Sequence, residues 1–189
     1  MPTYPLSLVS LRGAAFPLVA GAVSNTGWVN LTTFSNDAAI GTIAWGTPGD
    51  AAASDNIYAS MASGAGSPNV SNYLKGLQLT SGVPGGATIV GVEVRVEKSQ
   101  VSAGYTDNSV RLVKGGVISG NNKADTITAW PTVDAYITYG GAADLWGLAL
   151  TAADVNGATF GLVIASAQSA NFRSGSVDHM QMKIYYSTP

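Results

Sequence analysis

The sequence predicts an all-β fold, an antiparallel β-sandwich of the jelly-roll type, in a chain of 189 residues. Three observations support this prediction. Apolar and polar residues alternate with a period of two in the clearest segments, as they do in strands with one buried face. Clusters of glycine, asparagine and proline separate these segments at short intervals. No amphipathic segment is long enough to form the crossover helix that a parallel α/β fold needs.

Residues 1–24 are interpreted as an extended N-terminal arm, and residues 25–189 as the sandwich domain. Prolines at positions 2, 5 and 17 disfavour a helix in the arm. Its apolar run, residues 14–23, is about half the length that crosses a bilayer, so no membrane span is predicted. An arm this apolar needs a protein surface to cover it. We therefore expect a docking role for its large apolar residues, which are Tyr4, Leu6, Leu8, Phe16 and Leu18.

Two segments show the strand pattern most clearly. Between residues 88 and 98, Val90, Val92, Val94 and Val96 lie on one face, and charged residues, including Glu93 and Glu97, lie on the other. In the last segment, Met180, Met182, Ile184 and Tyr186 alternate with His179, Gln181, Lys183 and Tyr185. Each pattern predicts an antiparallel strand with one face in the core and one in solvent. His179 is accordingly interpreted as a polar surface residue.

Weaker strand patterns and one short helix complete the prediction. The helix spans residues 151–157, where Thr151 and Asp154 form a capping box and Gly157 supplies the left-handed residue that ends it. The weaker strands are expected at residues 28–34, 56–61, 73–80, 109–114, 134–139 and 159–167.

The composition excludes some classes of function. Charged residues make up 11% of the chain, against about 25% in ordinary soluble domains. The net charge is −2 and lysine and arginine do not cluster, so we expect no nucleic-acid partner. A surface poor in charge and rich in small polar groups is typical of a protein that contacts other proteins. The same composition also fits an ordinary neutral β domain.

Few residues are available for catalysis or metal binding. The chain has one histidine and no cysteine, which leaves almost nothing for a zinc site. Asp178 cannot orient His179 from the adjacent position, because neighbouring strand side chains point to opposite faces. Glu93 and Glu97 share a face, but their Cα atoms are ~13 Å apart along a strand, too far for a glycosidase pair. We expect no catalytic residue, no cofactor and no metal site, with calcium on loop oxygens as the alternative left open.

Two of the four tryptophans are candidates for contact with a glycan or a protein partner. Trp45 and Trp130 stand beside Gly46 and Pro131, in loop-like surroundings, and an exposed aromatic ring can stack on a sugar. Trp146 is expected in the core. Burial for structural reasons is the alternative for Trp45 and Trp130 as well.

Several clusters, taken in order, carry a resemblance to a known family. The proline-initiated strand at residues 83–92 and the last strand, with Val177-Asp178-His179 ahead of Tyr185-Tyr186, are two of them. The others are Gly27-Trp28, Ser54-Asp55, Tyr58-Ala59, Asn72-Tyr73-Leu74, residues 107–114, residues 144–147, residues 151–156 and Phe160-Gly161. From about residue 27 to its C-terminus the chain resembles structural proteins of tailed bacteriophages and prophages.

The resemblance implies a β-sandwich on a virion, assembled in the cytoplasm of a bacterial host, and it carries over no catalytic residue. One function is a capsid decoration or cement protein, expected as a homotrimer, that bridges subunits of the major capsid protein. The other is a tail-fibre, spike or head-fibre adhesin that binds host glycan through Trp45 or Trp130. A glycan-degrading enzyme is disfavoured by the carboxylate spacing. The short chain, without repeats or a shaft-forming segment, favours decoration.

Overall fold

A computed structural model describes residues 21–62, 69–101, 104–169 and 174–189, and within these ranges the chain forms two six-stranded sheets. The first, called sheet A, contains β1 (Val23–Asn25), β2 (Val29–Asn30), β4 (Ala59–Ala62), β7 (Thr88–Gln100), β10 (Ala135–Gly141) and β12 (Ser174–Ser187). The second, called sheet B, contains β3 (Thr33–Asp37), β5 (Asn69–Val70), β6 (Tyr73–Leu77), β8 (Tyr105–Lys114), β9 (Val117–Ser119) and β11 (Gly161–Gln168).

The strand pairings are those of a jelly roll. Eight strands pair in nested order along the sequence. The outermost pair is β4 with β12, followed by β6 with β11, β7 with β10 and β8 with β9. The pairs β12 with β7 and β11 with β8 then complete the two sheets. A long antiparallel ribbon folded over itself in this way makes two Greek keys. The predicted all-β, jelly-roll-like sandwich is confirmed.

The core lies between the sheets and includes the alternating faces of β7 and β12. Val92, Val94, Val96, Met180 and Met182 are fully buried, as the period of two predicts. The predicted core position of Val90 is wrong, because Val90 is only partly buried and Ile89 takes the core position instead. The register shifts there, since Tyr185 pairs with Gly91 and Tyr186 with Ile89. Val90 is therefore the extra residue of a β-bulge.

The helix, α1 (Ala152–Val155), forms with the predicted capping box. Thr151 Oγ1 accepts a hydrogen bond from the Asp154 backbone N–H at 3.1 Å, and the Asp154 carboxylate accepts one from the Thr151 N–H at 2.8 Å. The predicted ending is wrong. Asn156 is the C-cap and Gly157 does not adopt a positive φ. A further turn follows, in which the Phe160 N–H donates to the Gly157 carbonyl, so no left-handed residue is needed there.

The weaker strand predictions all coincide with observed strands, although with different ends. The structure also contains three short strands that the sequence did not indicate, β1, β5 and β9. Val23 in β1 pairs with Ser187, so sheet A begins two residues before residue 25, the predicted start of the domain. The arm residues Tyr4, Leu6, Leu8, Phe16 and Leu18 lie outside the described residues, and their docking role stays a prediction.

Candidate functional site

One end of the sandwich, where β7 ends and β8 begins, carries a small pocket beside a buried ion pair. The pocket has a volume of about 90 Å³ and is lined by Lys98, Asp107, Ile137 and the segment 128–131 among others. Lys98 points inwards because it continues the buried register of Val92, Val94 and Val96 along β7. Asp107 reaches the same point from β8 in the opposite sheet.

The ion pair belongs to a closed hydrogen-bond network. Lys98 Nζ donates to the Asp107 carboxylate and, at 2.6 Å, to the Tyr139 hydroxyl. The Tyr139 hydroxyl donates in turn to Asp107 Oδ2 at 2.8 Å, and Trp130 Nε1 donates to Oδ1 at 2.8 Å. The Asp125 backbone N–H completes the set at 3.2 Å. Asp107 thus accepts from a cation, a phenol, an indole and an amide.

The electrostatics of this network favour a structural role over a chemical one. Burial lowers the pKa of Lys98, and the negative charge of Asp107 opposes that shift. Burial also raises the pKa of Tyr139, with Asp107 adding to the effect. The carboxylate oxygens of Asp107 and the hydroxyl of Tyr139 already make hydrogen bonds within the network, so neither group is free to act as a general base. The network ties the segment that carries Trp130 onto both sheets.

Three large aliphatic side chains are exposed within three residues, along the chain, of residues that line this pocket. Val101 is 80% exposed, Ile127 89% and Val133 76%, and we call these three residues the apolar rim. The backbone N–H of Gln100 donates to the Pro131 carbonyl at 2.8 Å, which holds the end of β7 against the segment between Ile127 and Val133. The Trp130 N–H donates to the Tyr105 carbonyl at 2.9 Å, which also ties this segment to β8.

A second polar site lies on the outer face of sheet A, under residues 52–57, which we call the strap. Asp178 is the extra residue of a bulge in β12. Its carboxylate accepts hydrogen bonds from the strap, at 3.4 Å from the Asp55 N–H and at 3.2 Å from the Asn56 N–H. The interpretation of His179 as a surface residue is wrong, because it is only 6% exposed. The strap covers it, and Ala52 pairs with it as an isolated bridge.

The groups beneath the strap are polar and only partly paired. The Tyr136 hydroxyl and His179 Nδ1 are 2.8 Å apart and share a hydrogen bond. Glu97 Oε2, Asp134 Oδ1 and His179 Nε2 are buried and have no hydrogen-bond partner in the described part of the chain. Burial lowers the pKa of His179, against the opposing charge of Glu97, and raises the pKa of Asp178. Within the described ranges, no three Asp, Glu or His side chains lie close enough to hold a metal ion.

The structure corrects the expected exposure of the candidate tryptophans. Trp45 is 4% exposed and Trp130 is 3% exposed, so neither ring offers a face to a sugar at the surface. The loops that carry them fold inwards, and Trp45 Nε1 donates to the Asn72 carbonyl at 2.8 Å. The core position of Trp146 is confirmed, since it is fully buried and its Nε1 donates to the Val92 carbonyl.

Trp28 is the partly exposed tryptophan, and it lies among cations on the outer face of sheet A. Lys183 Nζ is 4.0 Å from its ring centroid and Arg95 Cζ is 4.4 Å away. Arg95 Cζ is also 4.1 Å from the ring centroid of Tyr136. Cations and rings therefore alternate across three strands, and such contacts stabilise by about 0.5–1 kcal/mol each at exposed sites.

Comparisons with known proteins do not assign the chain to a family. It matches no protein-family model, no curated protein and no solved structure. The described residues also contain no helix with the length and apolar character that a membrane crossing requires.

The buried network was missed by sequence reasoning, although a signal for it was present. Lys98 stands two residues after Val96, in the register of the inward valines, and a charge at such a position needs a buried counter-charge. In the structure Asp107 and Ser109 face successive residues of β11, and Asn108 is the unpaired residue between them.

Proposed function

We propose that the protein is a non-enzymatic structural protein of a bacteriophage virion, a decoration or cement protein that stabilises the head by bridging capsid subunits. The observation that carries this proposal is the apolar rim, three aliphatic side chains more than three-quarters exposed at one end of a sandwich. Grouped exposed apolar residues mark sites of protein contact. The resemblance to phage structural proteins supplies the partner, the major capsid protein.

The energetics of the rim suit a docking surface. Burying one aliphatic side chain completely stabilises a complex by about 1.5–3 kcal/mol. Complete burial of Val101, Ile127 and Val133 would therefore contribute about 4.5–9 kcal/mol, from which the costs of association are subtracted. The apolar arm at residues 1–24 would add to it if it crosses subunit junctions, and a homotrimer would present three rims to the capsid at once. Repeated copies with closed symmetry raise the overall affinity further.

The test replaces rim residues with aspartate and follows the virion. Particles should carry the wild-type protein at a copy number on the order of hundreds, as expected of a capsid lattice component rather than a fibre. Ile127→Asp and Val133→Asp should leave the protein folded but absent from particles, and those particles should lose infectivity at a lower temperature. The matched control is Val117→Asp, because Val117 is 66% exposed but lies at the β8–β9 turn, at the other end of the sandwich.

Two outcomes would contradict the decoration proposal. One is a copy number in the tens or fewer, measured by gel densitometry of purified particles. The other is a rim variant that is incorporated as well as Val117→Asp, since the rim would then contribute nothing to docking.

A second function, a host-glycan adhesin, is supported by a different observation. Trp28 lies partly exposed beside Arg95, and Arg95 Nε donates to the Gln181 side-chain oxygen at 2.6 Å. An aromatic ring with planar polar groups around it is the usual composition of a sugar-binding surface. For this function Trp28→Ala should abolish binding of the virion to host cells, whereas Trp28→Phe should retain part of it.

A further inference from the structure

β10 is an edge strand with one sheet partner. It pairs with β7 along its whole length, from Ala135 with Lys98 to Gly141 with Val92. The backbone of residues 135–140 makes no hydrogen bond to any other described residue. In an antiparallel pair, every second residue turns its N–H and C=O away from its neighbour. A row of backbone groups that have no partner among the described residues therefore faces outwards along β10.

β10 lacks the charged side chains and the proline that protect many edge strands, and its one residue with a positive φ, Gly140, lies near its end. Natural edges carry charged side chains or proline, contain bulges or are very short. β10 has seven residues, reads Ala-Tyr-Ile-Thr-Tyr-Gly-Gly and contains neither a charge nor a proline. Its central residues are aromatic or β-branched, which favour strand pairing. Thr138 and Gly140 are exposed, so the strand is accessible.

The other described edges are better protected. β3 has five residues and ends at Asp37, which forms an ion pair with Lys75 at 3.1 Å. Next to Asp37, the Asn36 side chain accepts a hydrogen bond from the Trp45 N–H, which places a loop beside this edge. β1 and β9 have three residues each, and β2 and β5 have two. β4 has four residues, and its Ser60 exchanges two backbone hydrogen bonds with Gly46. The long, uncharged and open edge is thus specific to β10.

We propose that β10 pairs with β10 of a second copy of this chain, antiparallel about a twofold axis near Ile137 and Thr138, which joins two A sheets into one. A second copy fits this edge because the edge is self-complementary. A twofold axis brings each residue opposite one from the same strand, and no charges of like sign meet. This contact goes beyond the decoration proposal, because it joins copies of the protein to each other and not to the capsid.

The contact is small, and its size determines the protein concentration at which association should be observed. Stable protein interfaces bury about 1,200–2,000 Å² in total, and a single pair of seven-residue strands lies at the low end. Free protein should therefore associate reversibly and only at high concentration. On an ordered surface that already holds many copies, the effective concentration is high and the same contact persists.

The test uses charge at Thr138 on the full-length protein. Near the axis, two Thr138 side chains share the outer face and lie opposite or diagonal to each other. Sedimentation velocity over a dilution series should show wild-type protein doubling its mass at high concentration. Thr138→Lys and Thr138→Asp should each abolish the doubling, and an equal mixture of the two should restore it. Matched controls are Ser24→Lys and Ser24→Asp, exposed on β1 at the opposite edge of sheet A.

Several results would overturn the proposal. They are wild-type protein that keeps its mass up to its solubility limit, Thr138 variants that associate as the wild type does, and a mixture that fails to associate. Recovery in the mixture also excludes misfolding as the cause of the loss. Hydrogen exchange gives an independent reading, since the outward amides of residues 135–140 should exchange more slowly at high concentration.

Discussion

At the scale of single residues, Lys98 shows how strand register decides what a charged side chain does. It occupies an inward position of β7, where solvent cannot stabilise its charge, and it is 2% exposed. Asp107 and Tyr139 replace the lost water, and the Trp130 ring centroid lies 4.7 Å from the ammonium. A buried pair of this kind contributes little net stability while intact, but removing one partner is costly.

The first prediction concerns this pair. Lys98→Met should lower the free energy of unfolding by about 3–5 kcal/mol, because it leaves the Asp107 carboxylate buried without a counter-charge. Lys98→Met combined with Asp107→Asn should be more stable than Lys98→Met alone, since the amide is neutral and still accepts hydrogen bonds. Urea unfolding followed by tryptophan fluorescence measures both. A double variant that loses the sum of the two single losses would show that the residues are not coupled.

His179 gives a second prediction at this scale, because it is the single histidine of the chain. Burial lowers its pKa below the usual 6.5, and the charged groups that act on it are Glu97, Arg95 and Asp55. The folded protein therefore takes up its imidazole proton at a lower pH than the unfolded chain. Stability from this residue is full above about pH 6.5 and decreases as the pH falls towards the folded pKa.

The measurement is an NMR titration of the imidazole C–H signals of this histidine, which should give a pKa below 6.5. His179→Gln should also remove part of the decrease in stability between pH 7 and pH 5. The contribution of Asp178 to stability changes with pH in the opposite sense, because burial raises its pKa. The NMR titration reports on His179 alone and therefore separates the two effects. An imidazole pKa at or above 6.5 would mean that solvent reaches His179 beneath the strap.

At the scale of elements, close approach between strands explains why certain positions carry no side chain. A Cβ at Gly161 of β11 would lie 2.0 Å from the Gly76 carbonyl oxygen of β6, well inside contact distance. That oxygen belongs to the backbone and cannot move without breaking the β6–β11 pairing. Gly85, in the turn before β7, has nothing within 4 Å of the same position.

The prediction compares these two glycines. Gly161→Ala should lower the free energy of unfolding by about 1–3 kcal/mol, as overpacking does. Gly85→Ala should leave it unchanged or raise it slightly, because alanine restricts the unfolded chain without meeting a neighbour. Thermal and urea unfolding of both variants test the difference. Equal stabilities would mean that β6 moves away from β11 without cost.

Elements with one solvated face gave the clearest signal in the sequence. The alternation of β7 and β12 follows from the two-residue period, which any sheet with one dry face imposes. β11 is buried on both faces from Gly161 to Ser166, so alternation gives little information there. β1 and β5 have three and two residues and depend on partners that are distant in sequence. No local pattern specifies such strands.

At the scale of the whole molecule, the sequence predicts the class of architecture but not the order of the strands in each sheet. Turn signals and short strands predict a sandwich or jelly roll, and the pairing of β4 with β12 makes it a jelly roll. The exposure of Trp45 and Trp130 could not be predicted in the same way. Glycine and proline beside them indicate a loop, but whether a loop folds inwards depends on distant partners, here Asn72 and Asp107.

The position of β12 has a consequence for biosynthesis. β1, β2 and β4 each have one described sheet partner, β12, which the ribosome produces more than a hundred residues after them. The nascent chain must keep these segments unpaired until residues 174–187 have left the exit tunnel. The fold therefore closes after translation of its last strand, and a premature stop anywhere before β12 yields a chain that cannot complete sheet A.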